Sequence, residues 1–307
     1  MGIADEKILI VDGACGSNIQ QMALPLSAWE DYEGCNEYLN LSAPEAIIEL
    51  HRGFIQAGAR VLETNTFGAS SIVLAEYGLE KRTEDINHAA VANARAAIAD
   101  RPDCYVAGSV GPTTKLPTLG HITVSELASS LSVQIRSLLT AGVDCLIIET
   151  CQDILQAKTG VVAAFELLEE LGVTIPVLVS VTIEQSGTML VGTDIAAVTA
   201  TFEPFPIFSL GLNCATGPSA MESHIRYLRD NWEGKISCVP NAGIPEIGKD
   251  GTRYPLTPDQ FARTMKRFVE EEGVSIVGGC CGTETEHIRK LVQALEKVEP
   301  ADREILR

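Results

Sequence analysis

Basic residues are scarce in this chain: 23 lysines and arginines stand against 41 aspartates and glutamates, for a formal charge of -18 over 307 residues. A surface of that sign repels phosphate backbones and anionic lipid headgroups, which excludes nucleic-acid and membrane partners and leaves a small molecule as the expected ligand. Long apolar runs are missing as well. No segment reaches the roughly 18 to 20 residues that span a bilayer, and the opening MGIADEKILI puts acids ahead of its apolar residues, unlike a secretory leader. The expected location is the cytoplasm. Nine cysteines, an odd number scattered over a long chain, fit a reducing compartment rather than a disulfide framework, so some are free to work as thiolates. No low-complexity segment, charge block or Pro/Ser-rich linker marks a boundary, and residues 1–307 are expected to form one domain.

What is present is an alternation. With 46% hydrophobic and 21% charged residues the chain can bury a large core. Short β-branched runs at Ile8–Asp12, Arg60–Thr64, Tyr105–Val110, Asp144–Glu149, Val177–Thr182, Ile207–Asn213, Lys235–Pro240 and Ser275–Gly279 each lead into a helical pattern. PEAIIELHRGFIQAG has proline at the helix start and glycine just past its end; SELASSLSVQIRSLLTAG has a serine N-cap and the same stop. Eight β/α units in roughly 250 or more residues predict a (β/α)8 TIM barrel with its functional groups at the carboxyl ends of the strands. The rival, a doubly wound sheet, would need a G-x-G-x-x-G after the first strand, and none is there.

Polar residues do collect at the predicted strand ends. If the barrel closes, Asp12, Glu149, Asn213, Cys214, Asn241, Cys280 and Cys281 surround one mouth. Cys214 on the sixth strand end then faces Cys280 and Cys281 on the eighth, with Asn241 between them on the seventh. Three converging thiolates are a soft-metal site, and Zn²⁺ on three sulfurs with one exchangeable position is a catalytic arrangement. Neighbouring residues of a regular strand face opposite sides, so the vicinal cysteines need an irregular strand end, for which Gly278, Gly279 and Gly282 supply backbone freedom. Lone cysteines such as Cys104, Cys145 and Cys238 read as core packing. Asp12 and Glu149 have a second reading as helix N-caps, and Asn65 and Asn213 as turn residues.

The set DGACGSNIQ, ETNTFGAS, GSVGPT, IET, GLNC, PNAG and GGCCGT, in this order from Lys7 to about Leu295, resembles the homocysteine methyltransferase family. PNAGIPE followed by TRYPLTPDQFA is most similar to the homocysteine-binding module of cobalamin-dependent methionine synthase. The family fold is the same barrel. The resemblance implies that Cys214, Cys280 and Cys281 bind Zn²⁺, that the thiol of L-homocysteine is activated there as a zinc thiolate, and that Asn241 fills the exchangeable metal position when substrate is absent. It implies that Asp12 and Glu149 face the substrate ammonium and that the GACGS backbone, at Gly13, Gly16 and Ser17, serves its carboxylate. Asn65 is placed with these substrate-binding residues. The implied product is methionine and the implied methyl donor methylcobalamin, held by a separate corrinoid-binding protein or domain, because the chain ends at Arg307 without folate, cobalamin or activation modules.

The family commonly reads D-G-A/G-M-G-T where this chain has Cys15 and Ser17 in the methionine and threonine slots. Cys15 is either a packing substitute or an additional reactive thiol. S-methylmethionine, S-adenosylmethionine and betaine are the alternative donors. Two other classes stand beside the methyltransferase: a zinc hydrolase, which favours histidine and carboxylate ligands, and a non-catalytic thiol-binding protein. Against the first, His51, His88, His121, His224 and His287 fall in predicted helices or loops away from the strand ends.

Overall fold

Alternation along each strand decides what the barrel encloses. The computed structural model describes residues 2–99, 101–248 and 251–306. Its strands, in chain order, are β1 (Leu9–Ile10), β2 (Val61–Glu63), β3 (Tyr105–Val110), β4 (Cys145–Cys151), β5 (Val177–Val181), β6 (Ser209–Asn213), β7 (Lys235–Val239), β8 (Glu246–Gly248), β9 (Gly251–Arg253) and β10 (Ile276–Val277). Eight of them form a parallel sheet in the order β1-β10-β7-β6-β5-β4-β3-β2. A parallel bridge between Val11 and Val61 joins the two ends, so the ring closes as the predicted (β/α)8 barrel. Among the described residues no helix is long and apolar enough to cross a membrane.

Residues of one parity point outward, and Leu62, Val106, Leu146, Ile148, Val179 and Leu210 join the core against the helices. The other parity points inward, where Leu9, Val11, Val61, Tyr105, Cys145 and Ile147 form an apolar plug. The next inward position on several strands is polar: Glu63, Ser109, Glu149, Ser180 and Asn213. Buried Ser109, Glu149, Ser180 and Asn213 are joined by hydrogen bonds above the plug. The period of two thus lifts a polar layer onto an apolar one and delivers it to the carboxyl end of the sheet.

Most predicted strands are shortened at their ends, and β1 and β10 keep only two residues each. β4 instead extends to Cys151, so Glu149 lies inside a strand and not at its end. The register of β4 against β5 slips between Ile148 and Cys151, and Thr150 has a φ of 53°. β7 does not lead directly into a helix. The exposed antiparallel hairpin β8–β9 intervenes, and its short strands, polar apart from Ile247, carried no periodic signal. The helix Pro44–Ala57 starts at its proline and ends at Gly58, φ 104°, as expected. The helix Val124–Ala141 is capped by Thr123 and not by a serine, because Glu126 returns the bond to Thr123 N–H and completes a capping box.

The loop after β10 is stitched to its neighbours on both sides. Gly279 N–H donates to Asp12 O at 3.1 Å and Cys280 N–H to Pro240 O at 2.8 Å. The fully buried Thr283 hydroxyl accepts from Ala14 N–H at 3.1 Å and donates to Cys280 O at 2.6 Å. Thr283→Val keeps the shape and strands both backbone groups. It is expected to lower unfolding free energy by about 1–3 kcal/mol, measured by denaturant titration; unchanged stability would show that the hydroxyl does not hold the seam.

Candidate functional site

Cys214, Cys280 and Cys281 meet on one side of the barrel mouth, their sulfurs all within 4.8 Å of one another. Cys214 Sγ lies 3.9 Å from Cys281 Sγ. Tetrahedral Zn²⁺ with Zn–S bonds of about 2.3 Å sets its sulfurs about 3.8 Å apart, so the spacing fits the ion. The backbone is bent to achieve this. Cys214 has a φ of 61° and Ala215 of 54°, a left-handed conformation seldom adopted outside glycine and one that recurs at functional sites. Across the gap, Gly282 has a φ of 75°, and a Cβ there would lie 2.1 Å from the Tyr254 ring. At Gly279 the need is different: a Cβ would lie 2.4 Å from Thr283 Oγ1, so the two cysteines share a loop that only a bare backbone can thread.

The three thiols are electrostatically unequal. Hydrogen bonds from Cys214 and Cys280, with a further one from Tyr254, hold the Cys281 thiol well below its ordinary range, whereas hydrogen bonds to Cys214 and Cys281 push Cys280 up. A cluster already poised to carry one thiolate suits a cation. Asn241, after β7 and so between the strands that carry the cysteines, buries an Oδ1 that has no hydrogen-bond partner among the described residues. An orphaned acceptor on the loop between the two cysteine-bearing strand ends fits an oxygen ligand to an ion. Cys104, Cys145 and Cys238 are buried, as expected of core cysteines.

The sulfurs open on a cavity of about 890 Å³, counting the part open to solvent, whose other wall is acidic. Asp12, Glu37, Glu63 and Glu149 line it, and none of the lining side chains among the described residues is basic. Asp12 is 3% exposed and Glu149 6%. Burial raises Asp12 and Glu63 well above the carboxylate range, with the neighbouring acids adding to both; the Glu63 N–H opposes the rise at Asp12, which it meets at 3.2 and 3.4 Å. Burial also raises Glu149, against three hydrogen bonds that favour its charge: from Ser109 Oγ at 2.5 Å, Thr150 Oγ1 at 3.2 Å and Asn213 Nδ2 at 3.2 Å. Several carboxylates crowd together here without a counter-charge.

Gly13, Gly16, Ser17 and Asn65 line the same cavity as Asp12 and Glu149; Asn241 does not line it. Ser17 Oγ accepts the Gly282 N–H at 3.1 Å, and Asn65 is held by donation to Asn36 O at 2.8 Å. Cys15 donates to Asn65 Oδ1 at 3.4 Å, and burial pushes its thiol up, which fits packing and not reactivity. The N-cap readings of Asp12 and Glu149 fail. The helix Cys15–Gln21 has Ala14 as its cap residue, and Asp153 caps the helix Ile154–Leu171. Asn213 is no turn residue but a hub, bonded to Glu149, Thr150 and Ser180. Glu63 was missed as a site residue, although it stands two positions after inward Val61. His51 was placed away from the strand ends, yet its ring lies 3.9 Å from Asp12.

A carboxylate whose folded-state pKa is raised stabilises the fold at low pH and loses that contribution as pH rises through the raised value. At constant metal loading, the protein without substrate is therefore expected to show a Tm that falls as pH rises above the ordinary carboxylate range. Glu63→Gln removes one of the crowded charges and should raise the Tm at neutral pH and flatten the slope. Calorimetry showing the same pH slope in parent and variant would refute this account of the acidic wall.

The homocysteine S-methyltransferase family matches this chain over residues 9–295. The methionine synthase of Mycobacterium tuberculosis is 39% identical over 310 residues, covering 99% of this chain and 26% of that protein. The methionine synthase of Mycobacterium leprae is 40% identical over 297 residues, covering 95% and 24%. The chain spans about a quarter of the length of these curated relatives. Among solved structures, the Escherichia coli homocysteine methyltransferase MmuM in its metallated form superposes with a TM-score of 0.75 at 24% identity, over 94% of this chain and 96% of that one, a likeness of fold. With the match running from β1 into the last barrel helix, this chain belongs to the homocysteine S-methyltransferase family and is a methyltransferase barrel.

Proposed function

We propose that the barrel methylates L-homocysteine to methionine, with Zn²⁺ held by Cys214, Cys280 and Cys281. The observation that carries this reading is the juxtaposition, in one cavity, of three sulfurs within 4.8 Å of one another and a wall of buried acids. A substrate that bears a thiol at one end and an ammonium at the other answers both. Bound Zn²⁺ would lower the pKa of the substrate thiol so that it is ionised at neutral pH.

The chain's own residues do the rest. Asp12 and Glu149 receive the ammonium, and its positive charge offsets the burial, and the nearby negative charge, that raise both of them. The backbone around Gly13, Gly16 and Ser17 offers N–H groups to the substrate carboxylate, beside Asn65. Asn241, whose buried Oδ1 lacks a partner among the described residues, would supply an oxygen ligand to the ion when substrate is absent. With the amino acid end anchored, the sulfur is aimed out of the mouth. There it attacks the methyl carbon of the donor; the new S–CH₃ bond forms as the bond from methyl to leaving group breaks, and that electron pair stays with the donor.

The donor favoured is methylcobalamin on a corrinoid-binding protein or domain. The greater length of the related methionine synthases supports a partner module. So do Phe67, Ile244 and Ile247, apolar residues left exposed on the loops after β2 and β7. Reduced thiols in an open site suit the cytoplasm.

Cys281→Ala is expected to abolish retention of the one zinc per chain, read by elemental analysis, while far-ultraviolet circular dichroism is unchanged, because the ion sits at the mouth and not in the core. Full zinc in that variant would remove Cys281 from the ligand set. Asp12→Asn and Glu149→Gln should instead keep their zinc and weaken homocysteine by about tenfold to a hundredfold, as the loss of a charge-assisted hydrogen bond predicts. Kinetics with methylcobalamin as donor give the KM values; parental KM in both variants would return these acids to a structural role.

A further inference from the structure

The helix Pro44–Ala57 backs the loop that carries Asp12 and Gly13. Phe54 closes on Gly13 so tightly that a Cβ there would lie 2.6 Å from its ring. One turn earlier on the same face is His51, 1% exposed, with Nδ1 at 3.9 Å from Asp12 Oδ2. Neither of its ring nitrogens has a hydrogen-bond partner among the described residues. Burial holds the imidazole down at about 4, so it is neutral at physiological pH.

A buried imidazole with nothing to bond is an expensive way to fill space, since an apolar side chain of similar size would do so without stranding a donor. The neighbours along this helix, Ile47, Ile48, Phe54 and Ile55, are all apolar and buried. The carboxylate of Asp12, which accepts the Glu63 N–H, faces the ring.

We propose that His51 is a positioning residue for Asp12: its Nδ1–H is directed at Oδ2 from behind the pocket and aims the carboxylate at the substrate ammonium. The proposal rests on the reading that Asp12 receives that ammonium. At 3.9 Å the pair is longer than a hydrogen bond in the substrate-free pocket, and such pairs commonly tighten when the ligand arrives. Neutrality matters to the role. A lysine or arginine at the same place would form an ion pair with Asp12 and compete with the substrate for it, whereas a neutral N–H orients the carboxylate and leaves its charge available.

The test is calorimetric binding of homocysteine, and of a simple alkyl thiol without an ammonium, to the zinc-loaded protein. His51→Leu removes the donor and is expected to weaken homocysteine about tenfold, with zinc content and alkyl-thiol binding unchanged. His51→Asn places an amide nitrogen near the position of Nδ1 and should recover most of the loss; His51→Met replaces the leucine variant if that does not fold. In an Asp12→Asn background the His51 substitution should add nothing further, because the two residues act as one unit. If Asp12→Asn weakens homocysteine while His51→Leu binds it like the parent, His51 is packing only and the proposal fails alone. Equal weakness of His51→Leu and His51→Asn would also overturn it, since bulk and not the N–H would then matter. If Asp12→Asn itself binds homocysteine like the parent, the substrate reading of Asp12 falls and takes the proposal with it.

Discussion

Several acids buried together, with no basic side chain lining their cavity among the described residues, set the constraint on which this site turns. Asp12, Glu63 and Glu149 sit together at the mouth of a closed barrel, each raised by burial and by its neighbours. Three cysteine sulfurs face them across a cavity that, among the described residues, no basic side chain lines. Such an arrangement is unfavourable for folding and is kept in place by the surrounding rigidity, as functional sites commonly are. Its consequence is selectivity, because whatever enters must bring positive charge. Three sulfurs suit a soft metal ion and the carboxylates suit a cationic group, and among the described residues no basic side chain lines the cavity to compete with either.

That rigidity comes from layering. The apolar plug inside the barrel lets the inward positions one step higher be polar without opening the core to water. The hydrogen bonds among Ser109, Glu149, Thr150, Asn213 and Ser180 then fix the carboxylate at the centre of the layer. Asn213 does two things at once, since it donates to Glu149 and accepts the Thr150 N–H at 2.9 Å. The left-handed backbone at Thr150 is thereby held from the neighbouring half of the ring. Strain at Thr150 and Cys214 is concentrated where a strand must release a side chain toward the cavity.

The barrel was legible in the sequence because its signal repeats: eight β-branched runs, each followed by a longer helical pattern, leave few alternatives. The three cysteines were legible because the vicinal pair makes no sense in a regular strand. What escaped was of two kinds. Boundaries moved where hydrogen bonding and not hydrophobicity decides them, as at the β4 bulge that draws Glu149 inside the strand, and at Thr123, whose capping box outcompetes the expected serine. Roles were missed where a residue acts through a partner distant in sequence. His51 lies on the buried face of its helix with Ile47 and Phe54, and periodicity alone cannot tell a packed histidine from one facing a carboxylate 39 positions earlier in the chain. Asn213 resembled a turn residue because nothing local discloses a bond to Glu149, 64 positions away.

The order of the strands around the ring explains why one small molecule can satisfy both demands. Going round from β10 through β7 to β6, the loops carry Cys280 and Cys281, then Asn241, then Cys214. Continuing past β5, the strands β4, β3, β2 and β1 bring Glu149, Ser109, Glu63 and Asp12. Sulfur and carboxylate thus occupy two separate arcs of the same mouth, Asn241 lying inside the first, with β5 between the two arcs supplying Ser180 to the supporting network. Sequence order mixes these residues, since Asp12 and Cys281 lie at opposite ends of the chain; closure of the ring sorts them. A ligand lying across the mouth therefore meets sulfur in one arc and carboxylate in the other, although the residues that carry them are far apart in the chain.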